Sequence, residues 1–365
     1  MAQGPLRRVG VLTAGGDCPG LNAVIRAFVK TAEAHYDWEI LGILDGFEGL
    51  LVPDGVRPLR GDDVRGILTL GGTILGTSNR GNPFAMRSLV DGEERVTDRS
   101  AEAIARLQEL DVGALVVIGG DGSMRIALRF QRLGVPVVGV PKTIDNDLAA
   151  TDVTFGFDTA VATATDAIDR LRSTAEAHHR VMIVEVMGRD AGWIALEAGL
   201  AGGGDIILIP EIPFRVDRVA RAIEERGSHG RTFSIVVVAE GAYPVGGQQI
   251  TQKRIGPDGF VRLGGVGVWL ADELAQRIRY EVRATVLGHV QRGGTPTAFD
   301  RVLATRLGCA AAWLVGQGDF GNMVAVKGAE IVPVPIADCV RVPKLVPPAG
   351  DRVMTARHLG VSFGD

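Results

Sequence analysis

Asp145 and Asp147 stand one residue apart in Pro141-Lys-Thr-Ile-Asp-Asn-Asp147, which follows Val135-Pro-Val-Val-Gly-Val140, a short apolar run that reads as a buried strand. Two carboxylates therefore sit at the carboxyl end of an expected parallel strand, the edge where open α/β sheets bind ligands. An ionised carboxylate is costly to bury without a partner, so the pair points to a metal ion or to proton transfer. A solvated turn with an Asx cap is the competing reading of an isolated D-x-D. Two further strand exits carry Gly-Gly-Asp, at residues 15–17 and 119–121. Glycine turns between a strand and a helix expose backbone N–H groups to phosphate, and the helix dipole assists. Arg80, Arg180, Arg189, Arg283 and Arg292 each lie beside a strand end or a glycine and are expected on the ligand-side loops. The guanidinium fork suits phosphate. Together these parts fit phosphoryl transfer. Glycine backbone holds a polyphosphate, an acid holds Mg²⁺, arginines hold the acceptor's own phosphate, and a second carboxylate takes the acceptor's hydroxyl proton.

Strands must alternate with helices to position these groups. The expected strands are Arg8–Thr13, Trp38–Leu44, Ala114–Ile118, Val135–Val140, Arg180–Val186, Asp205–Ile209, Phe233–Ala239 and Arg283–Leu287. The expected helices are Leu21–Ala34, Ser100–Leu110, Met124–Leu133, Asp158–Ala177, Trp193–Ala201, one around Val216–Ile223 stopped by Gly227, Gly267–Ile278 and Thr297–Val315. Residues 248–263 are polar and read as an exposed hairpin or loop. The proline-rich tail offers two short strands, near Met323–Val326 and Glu330–Val334. Continuous apolar runs such as Ala114–Ile118 are typical of strands covered on both faces, and the alternation argues for parallel sheets with helices on either side. A second strand-helix series starts near Phe155-Gly156, which marks a candidate boundary.

Composition narrows the class. With 365 residues, 46% hydrophobic and 22% charged, the chain is globular and long enough for two domains. A net charge of −4 gives no electrostatic case for nucleic acid. Cys18, Cys309 and Cys339 lack metal spacing, and an odd, sparse set fits a reducing cytoplasm. Neither a signal-peptide pattern nor a membrane-spanning run is visible. The dinucleotide fingerprint G-x-G-x-x-G with its later acid, the Walker sequence and the protein-kinase set are absent.

Five stretches occur in order: Gly-Val-Leu-Thr-Ala-Gly-Gly-Asp-Cys-Pro-Gly-Leu-Asn (10–22), Gly-Gly-Asp-Gly-Ser (119–123), Pro-Lys-Thr-Ile-Asp-Asn-Asp (141–147), Val-Glu-Val-Met-Gly-Arg (184–189) and Arg-Ala-Thr-Val-Leu-Gly-His-Val-Gln-Arg-Gly-Gly (283–294). In this order they resemble the 6-phosphofructokinase family across residues 8 to 315. The resemblance implies two doubly wound, three-layer α/β/α domains with the active site between them. Residues 1–156 plus about 291–340 would hold ATP and Mg²⁺. Residues from about 157 to 290 plus the tail would hold fructose 6-phosphate. Asp145 would be the base for the sugar's C1 hydroxyl, with Asp121 and Asp147 organising Mg²⁺. Gly15, Gly119, Gly120, Asp121, Gly122, Ser123 and Lys142 would hold the donor, and Arg80 would neutralise the transferring group. Thr143, Met187, Gly188, Arg189, Glu240, His289 and Arg292 would surround the sugar, with Thr143 and Arg189 also counted as catalytic. Arg180 and Arg283 would arrive from a neighbouring copy in a homo-oligomer, a dimer or a tetramer with shared sites.

Two positions bear on the donor. Gly122 resembles strict ATP enzymes, because the missing side chain leaves room for a nucleotide. Lys142 resembles pyrophosphate enzymes. The physical argument favours ATP, since no carboxylate at 122 repels the α-phosphate. The 248–263 insertion is similar to that of the lysine-bearing subgroup. Arg26, Lys30 and Arg172 match part of a family effector site, and Arg231 stands where a lysine pair is the pattern. The alternatives are a pyrophosphate-dependent, reversible enzyme, an NAD kinase-like enzyme sharing Gly-Gly-Asp, and an inactive sugar-phosphate sensor. The 283–294 stretch has no use in the second, and intact Asp145, Asp147 and Arg80 argue against the third.

Overall fold

The computed structural model describes residues 6–90, 93–255 and 261–365. In chain order the first elements are β1 (Arg8–Ala14), α1 (Leu21–His35), β2 (Glu39–Ile43), β3 (Val56–Leu59), β4 (Met86–Val90), β5 (Glu93–Thr97), α2 (Ser100–Glu109), β6 (Ala114–Gly119), α3 (Asp121–Arg132) and β7 (Val137–Pro141). Then come α4 (Phe157–His178), β8 (Val181–Val186), α5 (Trp193–Ala201), β9 (Ile206–Leu208), α6 (Val216–Ser228), β10 (Ser234–Ala239), β11 (Thr251–Ile255), β12 (Val261–Leu263), α7 (Val266–Ala275) and β13 (Val282–Val286). The chain closes with α8 (Ala298–Gln317), β14 (Asn322–Lys327), β15 (Glu330–Pro335), α9 (Ile336–Cys339) and α10 (Asp351–His358). It forms two units. The first comprises residues through Thr143, Leu148–Gly156 and Arg292–Pro343; the second comprises Ile144–Asp147, Phe157–Gln291 and Lys344–Asp365.

The first unit is built on a sheet in the order β15-β14-β7-β6-β1-β2-β3. Its five inner strands are parallel, while β3 and β15 are antiparallel edges. The strands β1, β6 and β7 are buried throughout apart from Arg8, as doubly covered parallel strands must be. Leu12, Leu115 and Val117 pack with Ala103 and Leu107 of α2, Met124 and Phe130 of α3, and Ile336 of α9. On the other face α1 packs along α8, which covers β7 and β14. Thr297 caps α8, accepting from the Asp300 N–H at 3.2 Å. The fully buried Asp300 carboxylate in turn accepts the Gly156 N–H at 2.9 Å.

The second unit carries a four-stranded parallel sheet, β13-β8-β10-β9. Val219 and Ile223 of α6 and Leu270 and Leu274 of α7 fill one face together with Ile183 and Val236. The helices α4 and α5 lie on the other. Both units are thus α/β with helices on two sides of a parallel sheet. No helix among the described residues is long and apolar enough to cross a membrane.

Glu185 sits inside β8 at 2% exposure. Its carboxylate accepts the N–H groups of Gly265 and Gly267, both at 2.8 Å, at the amino end of α7. An anion there is favoured by the helix dipole. Glu185→Ala strands two N–H groups and is expected to lower unfolding free energy by about 2–5 kcal/mol in a denaturant titration. A loss below about 1 kcal/mol would contradict this role.

Several boundaries differ from expectation for local reasons. Gly227 does not stop α6, which runs through it to Ser228. The left-handed residue that ends the turn is Gly230, at φ 81°. The helix α3 begins at Asp121 rather than Met124, so Gly122 and Ser123 belong to its first turn. The tail holds α9 and α10 besides its strands, and β3 and the β4–β5 hairpin add to the strands expected from the sequence. Residues 248–263 do contain an antiparallel pair, β11–β12. Its connection at 256–260 lies outside the described residues.

Candidate active site

In the first unit Ala14 pairs with Gly119, and Gly119 with Pro141. One register row therefore carries all three strand exits. Gly15 leaves β1 at φ 81°, a left-handed conformation that glycine adopts without strain. Its N–H donates to the Ser78 carbonyl at 3.1 Å, and its own carbonyl accepts from Thr77 Oγ1 at 2.6 Å. These bonds hold the 77–80 loop beside the turn. The Arg80 N–H donates to Ser78 Oγ at 3.0 Å, and Ser78 Oγ donates to Glu48 at 2.6 Å, leaving the Arg80 side chain exposed.

Gly119 and Gly120 lead into α3, whose first residue is Asp121. The Asp121 carboxylate is 41% exposed and meets Arg125 Nε at 2.9 Å. At Gly122 an added Cβ would meet nothing within 4 Å, so glycine there serves no packing need. Ser123 is buried. Lys142 is only 4% exposed, its ammonium donates to the Gly16 carbonyl, and its N–H donates to Gly119 O at 2.9 Å. Thr143 accepts from Thr154 Oγ1 at 2.7 Å through its carbonyl. Arg292, which the resemblance assigns to the sugar phosphate, lies in this unit and donates from Nη1 to the Asp17 carbonyl at 3.2 Å. Burial pushes the Cys18 thiol far up, with the Lys142 charge acting the other way, so that cysteine is an inert neighbour.

In the second unit Asp145 and Asp147 are half-buried and alternate with buried Ile144 and Asn146. Asn146 holds φ 52°, a left-handed conformation that asparagine tolerates better than most residues. Lys344 braces this turn from the tail. Its ammonium donates to Asn146 Oδ1 at 2.8 Å and its N–H to the Asp147 carbonyl at 2.7 Å.

Val186 pairs with Ala239, so β8 and β10 end side by side. Past them come buried Met187, Gly188 at φ 140°, exposed Arg189 at φ 43°, and Glu240. The Arg189 N–H approaches Glu240 Oε1 at 3.4 Å. His289 is exposed in the short helical turn Gly288–Arg292 that follows β13. These residues share the carboxyl edge of the sheet.

Arg180 and Arg283 do not join them. Arg180 precedes β8 and Arg283 is the second residue of β13, so both lie at the amino edge of parallel strands. The length of β8 separates the edges by roughly 20 Å. This corrects the expectation that all five arginines line ligand-side loops. The two bracket Glu281: Arg180 Nε meets one carboxylate oxygen at 2.6 Å and Arg283 the other. The hydrogen bond from Arg180, with the charges of both arginines, holds the Glu281 carboxyl below its usual range.

Among the described residues no group of three or more His, Cys, Asp or Glu side chains is arranged to hold a metal ion. Mg²⁺ needs no such cage. It takes one or two carboxylates and completes an octahedron with phosphate oxygens and water. Carboxylates such as those of Asp121 and Asp147 are hard oxygen donors that fit this role. Sequence reasoning missed Lys344, Trp193 and Glu211, whose bonds to one another and to the site loops run largely through backbone groups or from distant positions.

Residues 8–315 match the family model described as phosphofructokinase. The chain is 53% identical over 359 residues to the ATP-dependent 6-phosphofructokinase of Chloroflexus aurantiacus, covering 98% of each. It is 56% identical over 344 residues to the pyrophosphate–fructose 6-phosphate 1-phosphotransferase of Amycolatopsis methanolica, covering 93% of this chain and 96% of that one. Among solved structures, phosphofructokinase of Pichia pastoris in the T-state superposes with a TM-score of 0.79 at 31% identity. That match covers 93% of this chain and 36% of the longer Pichia chain.

Proposed function

Because the chain belongs to the phosphofructokinase family, we propose that it transfers the γ-phosphoryl group of ATP to the C1 hydroxyl of fructose 6-phosphate. The products are fructose 1,6-bisphosphate and ADP, and the setting is cytoplasmic glycolysis. The observation that carries this reading is the single register row Ala14–Gly119–Pro141, from which both glycine turns and Lys142 emerge. Asp145 follows Lys142 by three residues.

The C1 oxygen attacks the γ-phosphorus while its proton passes to the Asp145 carboxylate, and the bond from the γ-phosphorus to the bridging oxygen of ADP breaks. Gly15, Gly119, Gly120, Gly122 and Ser123 hold the donor through backbone groups, and Arg80 and Lys142 offset phosphate charge. Asp121 and Asp147 would hold Mg²⁺, which would screen and order the phosphates. Thr143, Met187, Gly188, Arg189, Glu240, His289 and Arg292 hold and orient the sugar phosphate. The reading is tested by incubating the chain with fructose 6-phosphate, MgATP and a panel of other sugar phosphates. Phosphorus NMR should show a new phosphate at C1 of fructose 6-phosphate; phosphorylation elsewhere, or none, overturns it. A pyrophosphate-dependent version is favoured by one observation, the buried ammonium of Lys142 against the donor turn.

Arg180 and Arg283 serve a neighbouring copy, since their edge of the sheet is remote from the sugar loops of their own unit. Arg283→Ala is expected to raise the KM for the sugar phosphate. Mixing it with Asp145→Asn chains should restore full function at about a quarter of the sites in a randomly assorted dimer, because each mixed pair regains one intact site. Assayed at low sugar phosphate, no gain over the sum of the parents at any mixing ratio would place both arginines in their own chain's site.

A further inference from the structure

We infer that residues 344–346 form a strap that positions the Asp145–Asp147 turn, with Lys344 as a positioning residue for the general base. This rests on the reading of Asp145 as that base. Bonds from Lys344 run in three directions. Its N–H reaches the Asp147 carbonyl at 2.7 Å, its ammonium reaches Asn146 Oδ1 at 2.8 Å, and its own carbonyl accepts from Trp193 Nε1 at 2.8 Å. One residue thereby holds the side chain between the two acids and the backbone of the second acid.

The other end of the strap is bolted separately. The Val346 N–H donates to Glu211 Oε1 at 2.8 Å, and the same carboxylate accepts the Gly192 N–H at 3.0 and 3.1 Å. Gly192 ends the loop that carries Gly188 and Arg189. Glu211 and Trp193 therefore join the strap to the sugar-phosphate loop, while Lys344 joins it to the acids. Trp193 is 7% exposed at the start of α5, and the cations of Lys344 and Arg352 lie 5.9 and 5.7 Å from its ring centre.

Two features separate positioning from plain packing. Asn146 is buried in a left-handed backbone state, which asparagine tolerates better than most residues but which still needs restraints to persist as the single conformer of the turn. The Lys344 ammonium supplies one such restraint through the Asn146 amide. In addition, the rest of the tail is anchored without Lys344. Ser362 bridges to Ile206, Phe363 is fully buried, and Arg352 pairs with Glu197. Losing the ammonium should loosen the turn and leave the tail docked.

The test compares Lys344→Met, which keeps the stem and removes the charge, with Lys344→Arg and Trp193→Phe. Lys344→Met is expected to lower kcat by about 10–100-fold through misplacement of the reacting groups, with the KM for fructose 6-phosphate changed less than about threefold. The Mg²⁺ concentration for half-maximal rate should rise. Lys344→Arg should recover most of kcat, and Trp193→Phe should shift it in the same direction by less. Hydrogen exchange should quicken at residues 144–148 and stay unchanged in β8 and β10. Unchanged kcat together with unchanged exchange at 144–148 overturns the strap. So does a loss of kcat that Arg fails to restore and that comes with faster exchange throughout. If the unmutated chain phosphorylates no sugar phosphate, the functional reading falls, and the exchange data alone decide whether Lys344 fixes the turn.

Discussion

Asp145→Asn will cut kcat by about 10²–10⁴-fold or more while leaving the KM for fructose 6-phosphate within roughly threefold. The amide keeps the size and shape of the carboxylate, so the turn held by Lys344 at Asn146 and Asp147 remains supported. What disappears is the acceptor for the C1 proton. Without it the attacking oxygen must shed its proton to water, and the loss falls on the transition state, not on ground-state binding. The split between kcat and KM is therefore the diagnostic. Steady-state kinetics over a range of sugar phosphate concentrations measure it. A variant that keeps more than about a tenth of kcat would remove Asp145 from the role of base.

Gly122→Asp should depress kcat/KM for ATP by about 10²–10³-fold while sparing pyrophosphate. Gly122 lies in the first turn of α3 and is exposed, with open space where a side chain would begin. The variant should fold, because an acid in the first turn of a helix is favoured by the dipole. Its cost arises only when a nucleotide brings its α-phosphate nearby. Two like charges about 4 Å apart repel by about 4 kcal/mol at an effective dielectric near 20, which sets the upper end of the expected loss. Pyrophosphate has no third phosphate to be repelled. The measurement is kcat/KM for both donors in parent and variant. Equal losses for the two donors would show that position 122 does not discriminate between them.

The three strand exits were legible because their signal is local. Apolar runs end abruptly in Gly-Gly-Asp or Asp-x-Asp, and the register of β1, β6 and β7 then places them in one row. The arginines were harder. A sequence shows that Arg180 and Arg283 adjoin strands but says little about which end faces a ligand. Only the strand limits Val181 and Val282 put them at the amino edge, paired with Glu281. Gly122 and Ser123 read as turn because glycine is a poor helix former. They belong to the first turn of α3, where the leading N–H groups have no intrahelical partner in any case. The strand β3 contains Pro58 and β5 starts at Glu93-Glu94, so neither matches a strand pattern until antiparallel pairing fixes it. Lys344 had no local signal at all. Its bonds to Asn146 and Asp147 join positions almost 200 residues apart, 198 in the case of the ammonium, and its bonds to Asp147 and Trp193 use its own backbone atoms, which any residue type possesses.

The phosphoryl donor that the chain uses with fructose 6-phosphate can be identified in a single comparison. Purified chain is given fructose 6-phosphate and Mg²⁺ with either ATP or pyrophosphate, and fructose 1,6-bisphosphate is followed over time. The expected result is rapid formation with ATP at a kcat/KM well above that for pyrophosphate. Formation with pyrophosphate alone would contradict it.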